Sequence, residues 1–386
     1  MSNNPWFGFS DFFLHNSRTF VELVYQEPYG YAGGAIVTCT CYRNGIRTWE
    51  RSFGKSASMF LMAAKRVSPF LLELLVFVFI VRALFGAKMK YHTMIMASIS
   101  PALLFLLNSR VAKRSVLLSG DVYIARSERL GKRLLFGGIT AVEKIIQNSV
   151  NEAWYLSGRL LEAKTMQRLI WKQIPRFVIP FPIVFNELVD AEVARHTIVY
   201  VGTLTEDRGL EVAIEALRRS LDVVPEAELV IIGLELGTYG RRLRSLVRQL
   251  GLASHVRFYG FLPLDKTKEV VSHCSAGLAL YQSESHQIGF TDPIKVKLYL
   301  SCGLPVISTQ HMPLAEGISK SGAGIILPIN PSALATAMVR LMTDDVYWKE
   351  CRIGVRRLTS ELKRENLLES RFGVFAEPHQ GGSHSK

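Results

Sequence analysis

Along the second half of the chain, short β-branched runs alternate with amphipathic stretches. Residues 196–202 (HTIVYVG) form an extended run closed by Gly202, and a polar loop separates it from residues 210–220, where Val212, Ile214, Ala216 and Leu217 share one helical face. That is strand, loop, helix. The same order predicts strands at 228–233, 256–260, 277–281 and 305–309, and helices at 239–250, 264–273, 292–302 and 331–341. Strands and helices alternating at this spacing imply parallel βαβ units in a doubly wound sheet, which takes its ligands at the carboxyl ends of its strands.

The first half carries the same rhythm less clearly. Ser10 can cap a helix over 11–18; strands are predicted at 20–25, 35–42, 45–53, 92–97, 115–119 and 152–156, with helices at 101–112 and 130–148. Ser157 reads as the N-cap of a further helix through Gln167. Pro175, Pro180 and Pro182, followed by a polar stretch through Arg195, mark a linker. The expected organisation is an α/β protein with two Rossmann-like doubly wound domains, residues 1–185 and 196–371, facing across a cleft, with a flexible tail over 372–386.

The most apolar segment, residues 69–85, has an uninterrupted apolar core of only eight residues, 74–81. A bilayer crossing needs about 20. With Lys65, Arg66, Arg82, Lys88 and Lys90 around it, the segment is either a helix lying in a membrane interface or one buried in the first domain. The opening residues lack a basic region followed by an apolar stretch, so the expected location is cytoplasmic, with a peripheral position on the inner membrane face as a further expectation.

With 386 residues and 48% hydrophobic side chains, the chain can bury two full cores, which excludes a mainly disordered protein. Its net charge of +13 is uneven. Residues 1–190 hold 23 basic and 12 acidic side chains, against 23 and 21 in the remainder. The basic half should face a polyanion, and charge alone admits an anionic membrane, an acidic polysaccharide or nucleic acid. Nucleic acid is disfavoured, because the chain lacks a basic helix interleaved with aromatics, a zinc knuckle and a helix-turn-helix cue. Five cysteines without a CxxC pair, and the scattered His273, His286 and His311, give no disulfide framework and no metal site.

Two segments carry candidate chemistry. In the loop from Gly202 to Gly209, Gly202 lets the backbone approach a ligand, and Arg208 sets a permanent charge just before a helix N-terminus. Alone, that arginine also reads as a merely solvated one. In the second segment Asp292 is expected to cap a helix with Pro293 at its first position, and Lys295 lies in the first turn. A lysine there gains nothing from the helix dipole, which points to a bound phosphate reversing the sign of the interaction.

Gly202 to Gly209, VIIG at 230–233, VRFYGFLP at 256–263 and DPIKVKLYLSCGLPVI from Asp292, followed by SGAG at 321–324, occur in the order of the donor domain of family 4 glycosyltransferases with the GT-B fold. The chain resembles that family over residues 196–370, and more weakly over 120–164. The resemblance implies transfer of a sugar from a nucleotide diphosphosugar to a glycan or lipid-linked acceptor, with retention of configuration, no obligatory metal and no resident cofactor. The family's basic pair maps onto Thr203 and Arg208, so half of it is kept. Gly209 and Gly233 fall within the matching donor motifs, and backbone around Tyr259, Gly260 and Phe261 would meet the base. The family's two glutamates fall on Phe290 and Leu298, and neither is a carboxylate. Asp292 and Lys295 are the implied substitutes, with Glu284 and Asp292 nearest for the ribose. Asp121, after strand 115–119, matches the family's acidic or histidine position facing the sugar; a loop aspartate capping a turn is the other reading. The loss of both glutamates also admits a catalytically silent GT-B protein that binds a sugar nucleotide or a partner transferase.

Overall fold

The computed structural model describes residues 19–25, 37–43, 46–53, 91–96, 112–120, 130–183, 195–235, 237–282, 289–290, 292–363 and 367. The described residues fall into two compact units that part between Ile179 and Pro180. The expected helices at 11–18 and 101–112, the apolar segment 69–85 and the tail 372–386 lie outside the described residues, Ala112 excepted. Ala112 opens a strand.

Among the described residues the N-terminal unit contains two sheets. Strands β1 (Thr19–Tyr25), β2 (Val37–Arg43) and β3 (Ile46–Phe53) form an antiparallel meander, with Tyr25 opposite Val37 and Val37 opposite Phe53. Strands β4 (Tyr91–Met96), β5 (Ala112–Ser119), β6 (Glu152–Tyr155) and β7 (Arg176–Val178) form a parallel sheet in chain order. Helix α1 (Leu130–Ser149) links β5 to β6, and α2 (Gly158–Met166) links β6 to β7. Ser157 caps α2 as its residue type predicts, its hydroxyl accepting from the Leu160 amide at 3.1 Å. Strand β7 occupies part of the stretch that reads as linker. Pro175 precedes it at the sheet edge, where a missing N–H costs no ladder bond, while the Pro175 carbonyl accepts from Ala153 at 3.0 Å.

The C-terminal unit holds six parallel strands: β8 (Thr197–Val201), β9 (Glu228–Ile232), β10 (Val256–Gly260), β11 (Ala276–Ala279), β12 (Val306–Ser308) and β13 (Gly324–Ile326). The helices are α3 (Leu210–Ser220), α4 (Tyr239–Gln249), α5 (Leu264–Ser272), α6 (Ile294–Ser301), α7 (Ala315–Ser321), α8 (Pro331–Thr343) and α9 (Asp345–Glu361). Successive strand residues serve opposite layers. Ile198, Tyr200, Leu229 and Ile231 pack with α3 and α8, while Val199, Val230 and Ile232 pack with α6, α7 and α9. Burial on both faces explains why these strands read as continuous apolar runs. The sequence reading left out α7, β13 and α9; three-residue β13 is too short to show a pattern.

The sheet runs β10-β9-β8-β11-β12-β13. From β8 the chain builds outwards through β9 and β10, then crosses back and builds the other way from β11. The reversal lies between β8 and β11, and a doubly wound sheet opens its binding crevice outside the strand ends at such a switch point.

Candidate functional site

Three segments meet at the carboxyl end of β8 and β11: the loop after β8, residues 280–282 after β11, and the first turn of α6. Tyr299 of α6 holds them in register. Its buried hydroxyl accepts from the Val201 amide at 2.8 Å and donates to the Leu278 carbonyl at 3.1 Å, so one side chain joins α6 to both strands. The Gln282 amide donates to the Asp207 carbonyl at 3.2 Å, bridging the two loops.

The loop depends on two glycines. Gly202 and Gly233 have φ of 142° and 155°, and a Cβ on Gly233 would lie 1.8 Å from the Gly202 carbonyl oxygen. No side chain fits there. Beyond Gly202 the loop tightens into a 3₁₀ turn over Glu206–Arg208, and α3 follows directly.

Arg208 and Lys295, from different segments, converge on one aromatic floor. The Arg208 guanidinium lies 5.2 Å from the centre of the Tyr281 ring, and Lys295 Nζ lies 4.1 Å and 5.6 Å from the Tyr200 and Tyr281 rings. Arg208 Nε donates to Thr205 Oγ1 at 3.3 Å and stands 3.6 Å from Asp207 Oδ1. Lys295 Nζ comes within 3.0 Å of where a Cβ on Gly202 would sit, beside the exposed Thr203. Burial, reinforced by the Arg208 charge and opposed by Asp207, pushes the Lys295 ammonium down to about 7. Burial likewise pushes the Tyr281 phenol up to about 12, and raises that of Tyr200, whose hydroxyl donates to the Thr203 carbonyl at 2.9 Å. A permanent cation at the start of α3 and a lysine at the start of α6 whose charge a bound anion would restore, with Asp207 as the carboxylate beside them, form a site that asks for an anion.

The neighbouring edge presents Tyr259 and Phe261, 43% and 54% exposed, flanking Gly260, whose carbonyl accepts from the Gly233 amide at 2.8 Å. These residues stand beside Gly233, on the edge strand two places along from β8, whose loop carries Arg208. Gly209, with φ 63°, turns the chain into α3. Asp121 and Glu284 lie outside the described residues. Leu298 is a core residue, 5% exposed, while Phe290 is partly exposed.

Asp292 departs from its expected role. Helix α6 starts at Ile294 without a side-chain cap, and the Asp292 carboxylate turns inward, accepting from the Phe181 amide at 2.7 Å and pairing with Lys297 Nζ at 3.2 Å. The Lys297 ammonium is nearly fully buried too, and without the Asp292 carboxylate it would be an uncompensated buried charge. Burial pushes the Asp292 carboxyl up and the Lys297 ammonium down, each opposed by the other's charge. Sequence reasoning missed Lys297, Tyr200, Tyr281 and Tyr299. Tyrosines at apolar strand ends and in a buried helix read as core, and only the parallel order of β8 and β11 brings them together.

Residues 195–344 match the family described as Glycosyl transferases group 1. A putative colanic acid biosynthesis glycosyltransferase, WcaL, from Escherichia coli K12 is 34% identical over 155 residues, or 39% of this chain and 37% of that protein. The amylovoran biosynthesis glycosyltransferase AmsK of Erwinia amylovora is 32% identical over 147 residues, 37% of this chain and 35% of that one. The matched stretch thus spans little more than a third of these curated relatives. Among solved structures, sucrose-phosphate synthase from Thermosynechococcus elongatus superposes with a TM-score of 0.57 at 18% identity, covering 73% of this chain and 72% of its own. Anabaena HepE in complex with UDP gives a TM-score of 0.56 at 14% identity, covering 70% and 74%. The fold is that of the GT-B glycosyltransferases, and the unit carrying the Arg208 and Lys295 cluster is the part of the chain that matches the group 1 glycosyltransferase family.

Proposed function

We propose that this chain is a glycosyltransferase of polysaccharide or glycoconjugate biosynthesis, transferring a sugar from a nucleotide diphosphosugar to a glycan or lipid-linked acceptor with retention of configuration. The observation that carries this reading is the convergence of Arg208 and Lys295 on Tyr281 at the switch point of the C-terminal sheet. A diphosphate seated there would receive a guanidinium from one loop, an ammonium from α6 and backbone N–H groups at the start of α3. The same charges would stabilise the diphosphate as it leaves the sugar, which is where negative charge develops in the transfer. Lys295 then supplies the cation that Thr203 lacks. Gly233 and Gly260 would let the nucleoside approach backbone, with Tyr259 and Phe261 beside the base.

HepE was solved with UDP, and the curated relatives WcaL and AmsK are biosynthetic glycosyltransferases, which supports a nucleotide-sugar donor and a glycan acceptor. The nucleotide diphosphosugar enters as co-substrate, and no resident cofactor is required. Asp121 and Glu284 stay in this reading as groups meeting the donor sugar or the acceptor hydroxyl. The proposed location is cytoplasmic, at the inner membrane face; no helix among the described residues is long and apolar enough to cross a membrane.

A thermal-shift panel of UDP-, GDP-, ADP- and dTDP-sugars tests the donor site, since a ligand held by the folded form raises Tm by mass action. The expected result is a shift for one nucleotide class, reduced in Arg208→Ala, with transfer or donor hydrolysis by the purified protein. A flat panel at millimolar ligand refutes the reading. The burial of Leu298 where the family carries a glutamate favours a second reading, a catalytically silent binder. It predicts a shift without turnover over a broad donor and acceptor screen.

A further inference from the structure

The turn that follows α2 displays an indole. Trp171 is 60% exposed, Met166 at the head of the turn 82%, and Ile145 on α1 52%. This is not loose chain. The side chain of buried Asn148 spends its full hydrogen-bonding capacity on the turn: Oδ1 accepts from the Trp171 and Lys172 amides, both at 2.9 Å, and Nδ2 donates to the Leu169 and Lys144 carbonyls at 2.7 Å and 2.6 Å. Arg168 in the same turn has φ of 54°, the one non-glycine in the left-handed region among the described residues. A left-handed residue and a buried amide clamp fix the backbone that carries the exposed indole. Lys144, one residue before Ile145, lies 5.2 Å from the Trp171 ring.

The exposed charge of the segment that carries the turn is one-sided. Between residues 140 and 179 the exposed charged side chains are Lys144, Arg159, Arg168 and Lys172 against Glu162 alone, because Glu143, Glu152 and Lys164 are buried. An indole, a thioether and an isoleucine projecting among cations fit the boundary between headgroups and acyl chains, where tryptophan is favoured and basic side chains meet anionic lipid. An acidic glycan would use the cations and the indole but gain nothing from Met166 and Ile145.

We propose that the turn carrying Trp171, together with Lys144, Ile145, Met166 and Lys172, docks this protein on an anionic lipid bilayer. The inference deepens the membrane-face part of the proposed function and rests on it, while donor binding is measured separately, so the two fail independently. Full-length protein is co-sedimented with vesicles of about one-third phosphatidylglycerol in phosphatidylcholine, and with phosphatidylcholine alone. Binding is expected to the anionic vesicles only, falling about tenfold or more in Trp171→Glu and about tenfold in the double variant Lys144→Glu, Lys172→Glu. The thermal shift with donor should persist in each variant, which shows that the fold is kept. Brominated lipid should quench wild-type emission, and the quenching should vanish in Trp171→Phe. Three results overturn the proposal: no vesicle binding by the wild type, undiminished binding by Trp171→Glu, or retention on soluble dextran sulfate that depends on Trp171 without vesicle binding. The last would assign the turn to a polyanionic glycan.

Discussion

Donor binding should draw a proton onto Lys295. In the free protein its ammonium faces the Arg208 guanidinium and the Asp207 carboxylate from the loop after β8, Tyr200 from β8 and Tyr281 from the segment after β11. With a pKa near 7, about one Lys295 in ten is charged at about pH 8. A diphosphate between Lys295 and Arg208 restores the ordinary preference of a lysine for its charged form, so binding at about pH 8 takes up roughly 0.9 proton per site. Both phosphates of a nucleotide diphosphosugar are diesters and do not titrate in this range, so the uptake belongs to the protein. The assay is calorimetric titration in buffers of different ionisation enthalpy, where the slope of observed against buffer enthalpy gives the proton number. Uptake should fall to about half a proton near pH 7 and to about 0.1 near pH 6, where Lys295 is already charged. A zero slope at about pH 8, or an unchanged slope in Lys295→Met, refutes the argument. The same shift acts on stability. Below about pH 7 both folded and unfolded chains hold the proton, and the folded state bears the cost of a half-buried charge beside Arg208. Between about 7 and 10.5 only the unfolded chain keeps it, so the stability of the free protein gains on raising the pH through that window, a gain that Lys295→Met removes.

Arg208→Ala removes a charge-assisted contact to phosphate of about 1.5–3 kcal/mol, so donor Kd should rise roughly ten- to hundredfold in calorimetry while the urea midpoint changes little. Lysine introduced at Thr203 in a Lys295→Met background should recover part of the donor affinity, because Lys295 Nζ lies 3.0 Å from where a Cβ on the adjacent Gly202 would sit; absence of any recovery would show that the cation is required from α6. Asp292→Ala strands the buried Lys297 ammonium and the Phe181 amide, at a cost of about 3–5 kcal/mol in urea unfolding, and Lys297→Met in the same chain should return most of it. Gly233→Ala would drive a methyl group into the Gly202 carbonyl, so failure to fold, or loss of donor binding with a large drop in Tm, is expected; a wild-type Tm would contradict the close approach of the two loops.

The C-terminal sheet was legible because its central strands are covered on both faces, so each shows as a short apolar run between helical stretches, and the expected strand 228–233 lies within one residue of the observed bounds. The two shortest edge strands were not. Strand β7 and strand β13 are each three residues long, too brief for any periodicity, and β7 hides behind Pro175. Gly202, Arg208 and Lys295 were recognisable from their local settings: a glycine at a strand end, a cation before a helix and a lysine in a first turn that the helix dipole disfavours.

Local patterning therefore established the order of elements and the residue types able to meet a phosphate, because strand and helix periodicity and turn chemistry act over a few neighbours. Whether Arg208 and Lys295 cooperate depends on the crossover that sets β11 beside β8, a pairing between segments nearly eighty residues apart, as Ala276 opposite Ile198 shows. The inward turn of Asp292 was decided at the same level. A carboxylate at a helix start can bond local amides or a distant ammonium, and the burial of Lys297 beside it, which no local pattern encodes, selected the ammonium.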